Sequence, residues 1–256
     1  MPAGAPVLVA RRLRAAHLPP AIAAAAPTLD LDLPAGEICC LIGPQDTGKT
    51  AWLRTLAAVE PPAAGTLTIA GLDARPADAA AWRRLRARAA YVSEGTALLS
   101  VQNALSNVML GAQYHGVASG TGLRERALGW LERLGWDGPL DRLPAHLSRH
   151  QRCLLMLARC LMLDPVALFI NEPFHLTDAD GWRHLARVFT RLAREHGLAL
   201  VMLTHDLPFV QRHAGRILFT SPAGIREFRS WPAFVACGDP AVDAFCGTAD
   251  LAFSGA

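Results

Sequence analysis

One stretch constrains this chain more than any other: Gly43-Pro44-Gln45-Asp46-Thr47-Gly48-Lys49-Thr50. It follows an apolar run, residues 37–42, that reads as a strand, and it opens residues 48–59, which read as a helix. A Gly-x4-Gly-Lys-Thr pattern between strand and helix forms a loop whose backbone N–H groups cradle phosphates. There Lys49 reaches the terminal phosphates and the Thr50 hydroxyl joins Mg²⁺. Composition sharpens the point. Of 25 basic residues, Lys49 is the only lysine. Whatever bias favoured arginine elsewhere stopped at this position.

The rest of the chain supplies the setting. Residues 7–13, 28–33 and 66–69 read as further early strands; Leu29, Leu31 and Leu33 alternate with Asp30 and Asp32, the mark of a half-buried sheet. Residues 78–88 read as an arginine-rich helix capped by Asp78, followed by a short strand at 90–93. Helical patterns at 101–114 and 123–134, with a Gly/Ser-rich loop at 117–122, read as a helical insert. Strand and helix then alternate: helix 148–163, strand 166–170, helix 180–195, strand 198–203, helix 208–212, strand 216–220. Short apolar runs between helices predict a buried, largely parallel sheet.

Charge and hydropathy exclude several classes. Net charge is +3, with 22 acidic residues against 25 basic, too balanced for a polybasic nucleic-acid binder. No apolar run approaches the ~18 residues of a membrane span, and no leader pattern opens the chain. Cys39, Cys40, Cys153, Cys160, Cys237 and Cys246 form no CxxC pair, which predicts reduced, buried thiols.

From residue 7 to 221 the chain resembles the ATPase subunit of an ATP-binding cassette (ABC) transporter. Tyr91-Val92-Ser93-Glu94 stands where that family has its Q-loop, and Leu147-Ser148-Arg149-His150-Gln151 stands where it has LSGGQ. Ala167 to Pro173 resembles the Walker B strand, Asp178 fits the D-loop, and Thr204-His205-Asp206 fits the switch histidine. Three segments, Glu172-Pro173-Phe174, residues 95–108 and residues 239–245, look like the ATPases of Mla/Mce-type lipid transport systems.

The resemblance implies an α/β fold: a P-loop NTPase, RecA-like core with an antiparallel β edge and a helical subdomain. Residues 1–256 would form one nucleotide-binding domain, the helical subdomain near 95–160 and a tail near 222–256. It implies ATP and Mg²⁺ as cofactors. Residues 43–50 would hold the phosphates, with His17 the nearest candidate under the adenine, where the family has an aromatic ring. Glu172 would polarise the attacking water, and His205 would contact the γ-phosphate. Thr50, Glu94 and Asn171 would face the metal. Ser148, Arg149, His150, Gln151 and Asp178 would face the opposite subunit. The implied partners are a second ATP-binding subunit and a membrane permease, not nucleic acid. The implied place is cytoplasmic, peripheral on the inner face of the membrane.

Several positions depart from the family pattern. Asp46 puts a carboxylate in an anion-binding loop; at an effective dielectric of ~20, two unit charges 4 Å apart repel by roughly 4 kcal/mol. Asn171 replaces the Walker B aspartate with an uncharged amide. Glu94 replaces glutamine, so the metal site is either rewired, with one charge lost at 171 and one gained at 94, or drifting. Arg149-His150 replaces two glycines that let backbone approach the opposite subunit's γ-phosphate, so their side chains are expected to obstruct it. Two readings follow: an ATP-binding subunit, with lipid the cargo that the Mla/Mce likeness implies, or a degenerate pseudo-ATPase that acts as structural or regulatory partner of an active subunit.

Overall fold

The computed structural model describes residues 5–75, 78–92, 98–117, 120–175 and 177–253. Glu94, assigned above to the metal site, lies outside them, as does Ser93.

Among the described residues, ten strands form two sheets. Strands β1 (Pro6–Arg14), β2 (Leu29–Pro34), β4 (Ala64–Ile69) and β5 (Leu72–Asp73) make an antiparallel sheet in the order β2-β1-β4-β5. Strands β3 (Ile38–Ile42), β6 (Ala89–Val92), β7 (Ala167–Asn171), β8 (Ala199–Leu203), β9 (Arg216–Ser221) and β10 (Gly224–Phe228) make the second, in the order β10-β9-β3-β8-β7-β6. Its five strands from β9 to β6 are parallel, and β10 adds an antiparallel edge. The α/β class and antiparallel edge expected from sequence are therefore what the chain builds.

The helices are α1 (Pro20–Ala24), α2 (Lys49–Leu56), α3 (Ala79–Arg88), α4 (Ala104–His115), α5 (Gly120–Arg133), α6 (Arg149–Leu161), α7 (Ala179–Arg194), α8 (Leu207–His213), α9 (Trp231–Val235) and α10 (Pro240–Phe253). Asp78 caps α3 by accepting from Ala81 N, as its sequence position predicts. The loop expected at 117–122 is shorter, because α5 starts at Gly120. The stretch read as a tail contains β10, α9 and α10. Aromatic contacts bind it to the core: Phe219 meets Phe234 and Phe245, and Phe228 meets Phe234.

Apolar side chains on both faces make the parallel sheet the centre of the molecule. In β3, Ile38, Cys40 and Ile42 face one core with Leu154, Leu157, Phe189 and Phe209. Cys39 and Leu41 face the other, with Trp52, Leu53 and Leu56 of α2 and with Leu8, Leu29 and Leu31 of the antiparallel sheet. Each such Leu or Ile contributes ~1.5–3 kcal/mol relative to exposure. This double burial explains why these strands read as unbroken apolar runs, whereas β2, buried on alternate residues, shows period two.

The carboxyl ends of β3, β6, β7, β8 and β9 share one edge of the sheet, where open parallel sheets bind ligands. Helices α4, α5 and α6 pack together beside that edge. Asn107, fully buried in α4, accepts from Leu99 N and donates to the carbonyls of Leu99, Gln102 and Asn103, while Arg159 of α6 donates to the Asn107 carbonyl. One amide thus pins the loop entering the helical region.

Candidate nucleotide-binding site

The loop between β3 and α2 is shaped by two glycines. Gly43 has φ +143°, and a Cβ there would lie 2.3 Å from the Thr220 carbonyl oxygen. Gly48 caps α2 at φ +82°, and its Cβ would meet Leu18 Cδ2 at 2.7 Å. Thr47 is buried; its hydroxyl lies 2.8 Å from the Pro44 carbonyl oxygen and 2.6 Å from the Thr220 hydroxyl, tying the loop to β9. The sequence alone did not mark Thr220, Leu18 or Pro19. They flank the loop from remote elements, and only the close approach of Gly43 and Gly48 reveals them.

Lys49 is buried at the start of α2, its ammonium donating to the carbonyls of Gly43 and Pro44. Burial lowers its pKa, while Glu172 and Asp46 oppose that shift. A buried cation in a cradle that any Cβ would fill, at a helix N-terminus, fits a polyphosphate. Asp46 sits in the left-handed region at φ +59° with an exposed side chain, so the loop keeps its shape and the carboxylate stays in solvent. Pro44 is half-buried; Gln45 and Thr50 are exposed.

Glu172 follows β7 in the left-handed region at φ +50°, its N–H donating to the Leu203 carbonyl of β8. That turn aims the side chain across the sheet edge, where Glu172 Oε1 lies 3.2 Å from His205 Nε2. The His205 pKa is lowered, mainly by burial and then by Lys49 and His175. A carboxylate at this position can accept a proton from water. Asn171 is half-buried at the end of β7. Among the described residues no three His, Cys, Asp or Glu groups could hold a metal by themselves. The oxygens present, from Thr50 and Asn171, suit Mg²⁺ held mainly through phosphate and water.

The first turn of α6 is fastened by contacts within the chain. Ser148 accepts from Gln151 N, and Gln151 returns a bond to Ser148 N, closing a capping box. His150 is turned back within its own chain, its Nε2 3.0 Å from His184 Nδ1 on α7. Arg149 instead lines a cleft of about 440 Å³ with Asn171, Glu172, Arg152 and Leu98. Of the two side chains that replace family glycines, His150 packs on α7 and Arg149 lines the cleft. Asp178 caps α7, accepting from Gly181 N at 2.7 Å. His17 is exposed with φ +53°, and the segment over Gly48 is Leu18-Pro19, apolar but not aromatic.

Residues 27–175 match the ABC transporter family. The chain is 29% identical to the glutamate/aspartate import ATP-binding protein GltL of Escherichia coli K12, over 78% of this chain and 82% of that one. It is 34% identical to the uncharacterized ABC transporter ATP-binding protein YbbA of the same strain, over 72% and 81%. Among solved structures, the dimeric post-hydrolysis cassette MJ0796 with ADP and Pi superposes with a TM-score of 0.75 at 22% identity, covering 87% of this chain and 98% of that one. The cbiO1 subunit from Clostridium perfringens, part of a cbiONQ complex, gives 0.76 at 18%, covering 91% and 92%.

Proposed function

The chain belongs to the ABC transporter family as an ATP-binding subunit, and from that premise we propose that it binds ATP–Mg²⁺ at the interface with a second such subunit and drives a membrane permease. The observation that carries this reading is the approach of Glu172 to His205 at 3.2 Å, beside the buried Lys49. The groups that would act on nucleotide bound to this chain meet at one sheet edge despite Asn171. When bound, Mg²⁺ would offset phosphate charge. Lys49 holds the phosphates, Thr50 and Asn171 supply oxygens, Glu172 takes the proton of the attacking water, and His205 contacts the γ-phosphate.

For the permease, the supporting feature is apolar surface beside the sheet edge. Leu98 lines the cleft with Val92, Cys153 and Met156, and Leu99 and Val101 are exposed. For the cargo we propose lipid, on the likeness of residues 172–174, 95–108 and 239–245 to lipid-transport ATPases. The deciding experiment is binding of a fluorescent ATP analogue with and without Mg²⁺, paired with turnover. Saturable, Mg²⁺-dependent binding is expected. Absence of binding at millimolar analogue would leave only the pseudo-ATPase role. Cross-linking from Leu98→Cys is expected to capture a membrane protein, and lipid co-purifying with that protein would support the cargo.

A further inference from the structure

Away from the nucleotide site, α7 and α8 enclose an open groove of about 710 Å³. Its lining is cationic: Arg183, Arg187, Arg191 and Arg194 from α7, with Arg212 and His213 from α8. The four α7 arginines are spaced 4, 4 and 3 residues apart, so at ~100° per residue they fall within about 80° of one another and form a single stripe. At ~1.5 Å per residue the stripe runs roughly 16 Å. The opposite face of α7 is core: Leu185, Val188, Phe189 and Leu192 are buried. The stripe is therefore fixed on a rigid helix.

Little of this charge is compensated. Arg183 pairs with Asp180, and the two side chains are 61% and 90% exposed. Arg191 donates to the Arg133 carbonyl, and Arg187 to the Arg183 carbonyl, which leaves both charges in place. Arg194 and Arg212 make no ion pair among the described residues, and Glu195 is the one acidic residue in the lining. The field registers on His213, whose protonation is disfavoured by burial, then by Arg194 and Arg212.

We propose that this groove docks an acidic helix of a partner protein, one that carries Asp or Glu at helical spacing along one face. Each arginine fork donates two parallel N–H···O bonds to one carboxylate, and arginines one turn apart match carboxylates one turn apart. The alternatives fit less well. A single-stranded nucleic acid needs aromatic faces for its bases. The groove's two rings are already engaged: Trp182 lies near Phe174 and donates its indole N–H to Asp206, and His213 stacks on Phe209. A membrane surface needs apolar side chains to insert, and none of the exposed large apolar residues lies here. The floor of Ala186 and Thr190 is small enough for a helix to settle between the arginine walls.

The test uses the full chain and a fluorescein-labelled, alanine-based peptide as long as α7, with Glu at the same 4, 4, 3 spacing, read by anisotropy in on the order of 50 mM salt. Saturable binding is expected, weakened at least about tenfold by Arg187→Glu with Arg212→Glu, two exposed residues on opposite walls. A peptide with its glutamates scrambled around the helix is expected to bind at least about tenfold more weakly. Unchanged ATP-analogue binding checks that the double variant is folded. Equal affinity for the scrambled peptide, or for the charge-reversed chain, overturns the proposal. So does stronger competition by oligo-uridine RNA or by phosphatidylglycerol vesicles, either of which would reassign the groove.

Discussion

His150 Nε2 lies 3.0 Å from His184 Nδ1, and this contact holds against α7 a side chain at a position where the family has glycine. Burial and His184 lower the pKa of His150, against weaker opposition from Asp137 and Asp178. Burial likewise lowers those of His115, His205 and His213. A histidine with a depressed native pKa binds fewer protons folded than unfolded. Its stabilisation is complete above the unfolded value, about 6.5, and is lost as pH falls below it. Melting temperature is therefore expected to drop between about pH 7.5 and 5.5, and to drop less in His150→Gln with His213→Gln. Parallel pH profiles for the two proteins would refute this.

Lys49→Ala removes the only lysine and the only cation within the loop. A charged hydrogen-bonding group is worth ~1.5–3 kcal/mol, so affinity for an ATP analogue is expected to fall by roughly one to two orders of magnitude. Titration by fluorescence measures it; unchanged affinity would mean that phosphate binds elsewhere.

Gly43→Ala tests the loop's attachment to β9. A Cβ at 2.3 Å from the Thr220 carbonyl oxygen forces backbone apart at positive φ, with an expected cost of about 2–4 kcal/mol. Gly71→Ala, at φ +75° with nothing within 4 Å of its Cβ, carries backbone strain alone and is expected to cost on the order of 1 kcal/mol. Urea melts of the two variants separate steric contact from strain, and equal losses would remove the steric argument.

The parts legible in the sequence were those with a local cause. The strand–loop–helix around Lys49 and the alternation of β2 each have one, and so do the Asp78 cap and the apolar strands that end at Asn171 and Leu203. What stayed hidden depends on distant partners. Thr220 matters because β9 pairs with β3 far along the chain. The turn of His150 depends on His184, one helix later, and nothing in the spacing of two histidines 34 residues apart signals contact. Helix α1 and the short β5 were missed because neither carries a periodic apolar face long enough to read. The likeness of motif order therefore pointed to the proposed site, while packing set where Arg149 and His150 lie.

The last prediction concerns repair. Asp46 and Asn171 belong to the site this chain would build around its own nucleotide, whereas Arg149 and His150 belong to the surface it would offer a partner. Asp46→Gly removes an anion from the loop and relieves a left-handed backbone at φ +59°, so it is expected to stabilise the chain by up to about 1 kcal/mol while tightening nucleotide. Asn171→Asp returns a charge to the end of β7. On the partner side, His150 is already folded onto His184, so Arg149→Gly is expected to deliver most of the gain and His150→Gly little. In a symmetric dimer each composite site contains both lesions. Either repair alone then yields little turnover, and the combination yields more than the sum. Beside an intact second subunit the lesions fall in different sites, and Asp46→Gly with Asn171→Asp raises turnover by itself. Phosphate release from the purified chain, alone and with a candidate partner, distinguishes the two arrangements. Background turnover in the fully repaired chain under both conditions would show that these four positions do not limit hydrolysis. It would move attention to Glu94 and to the non-aromatic Leu18-Pro19 segment over Gly48.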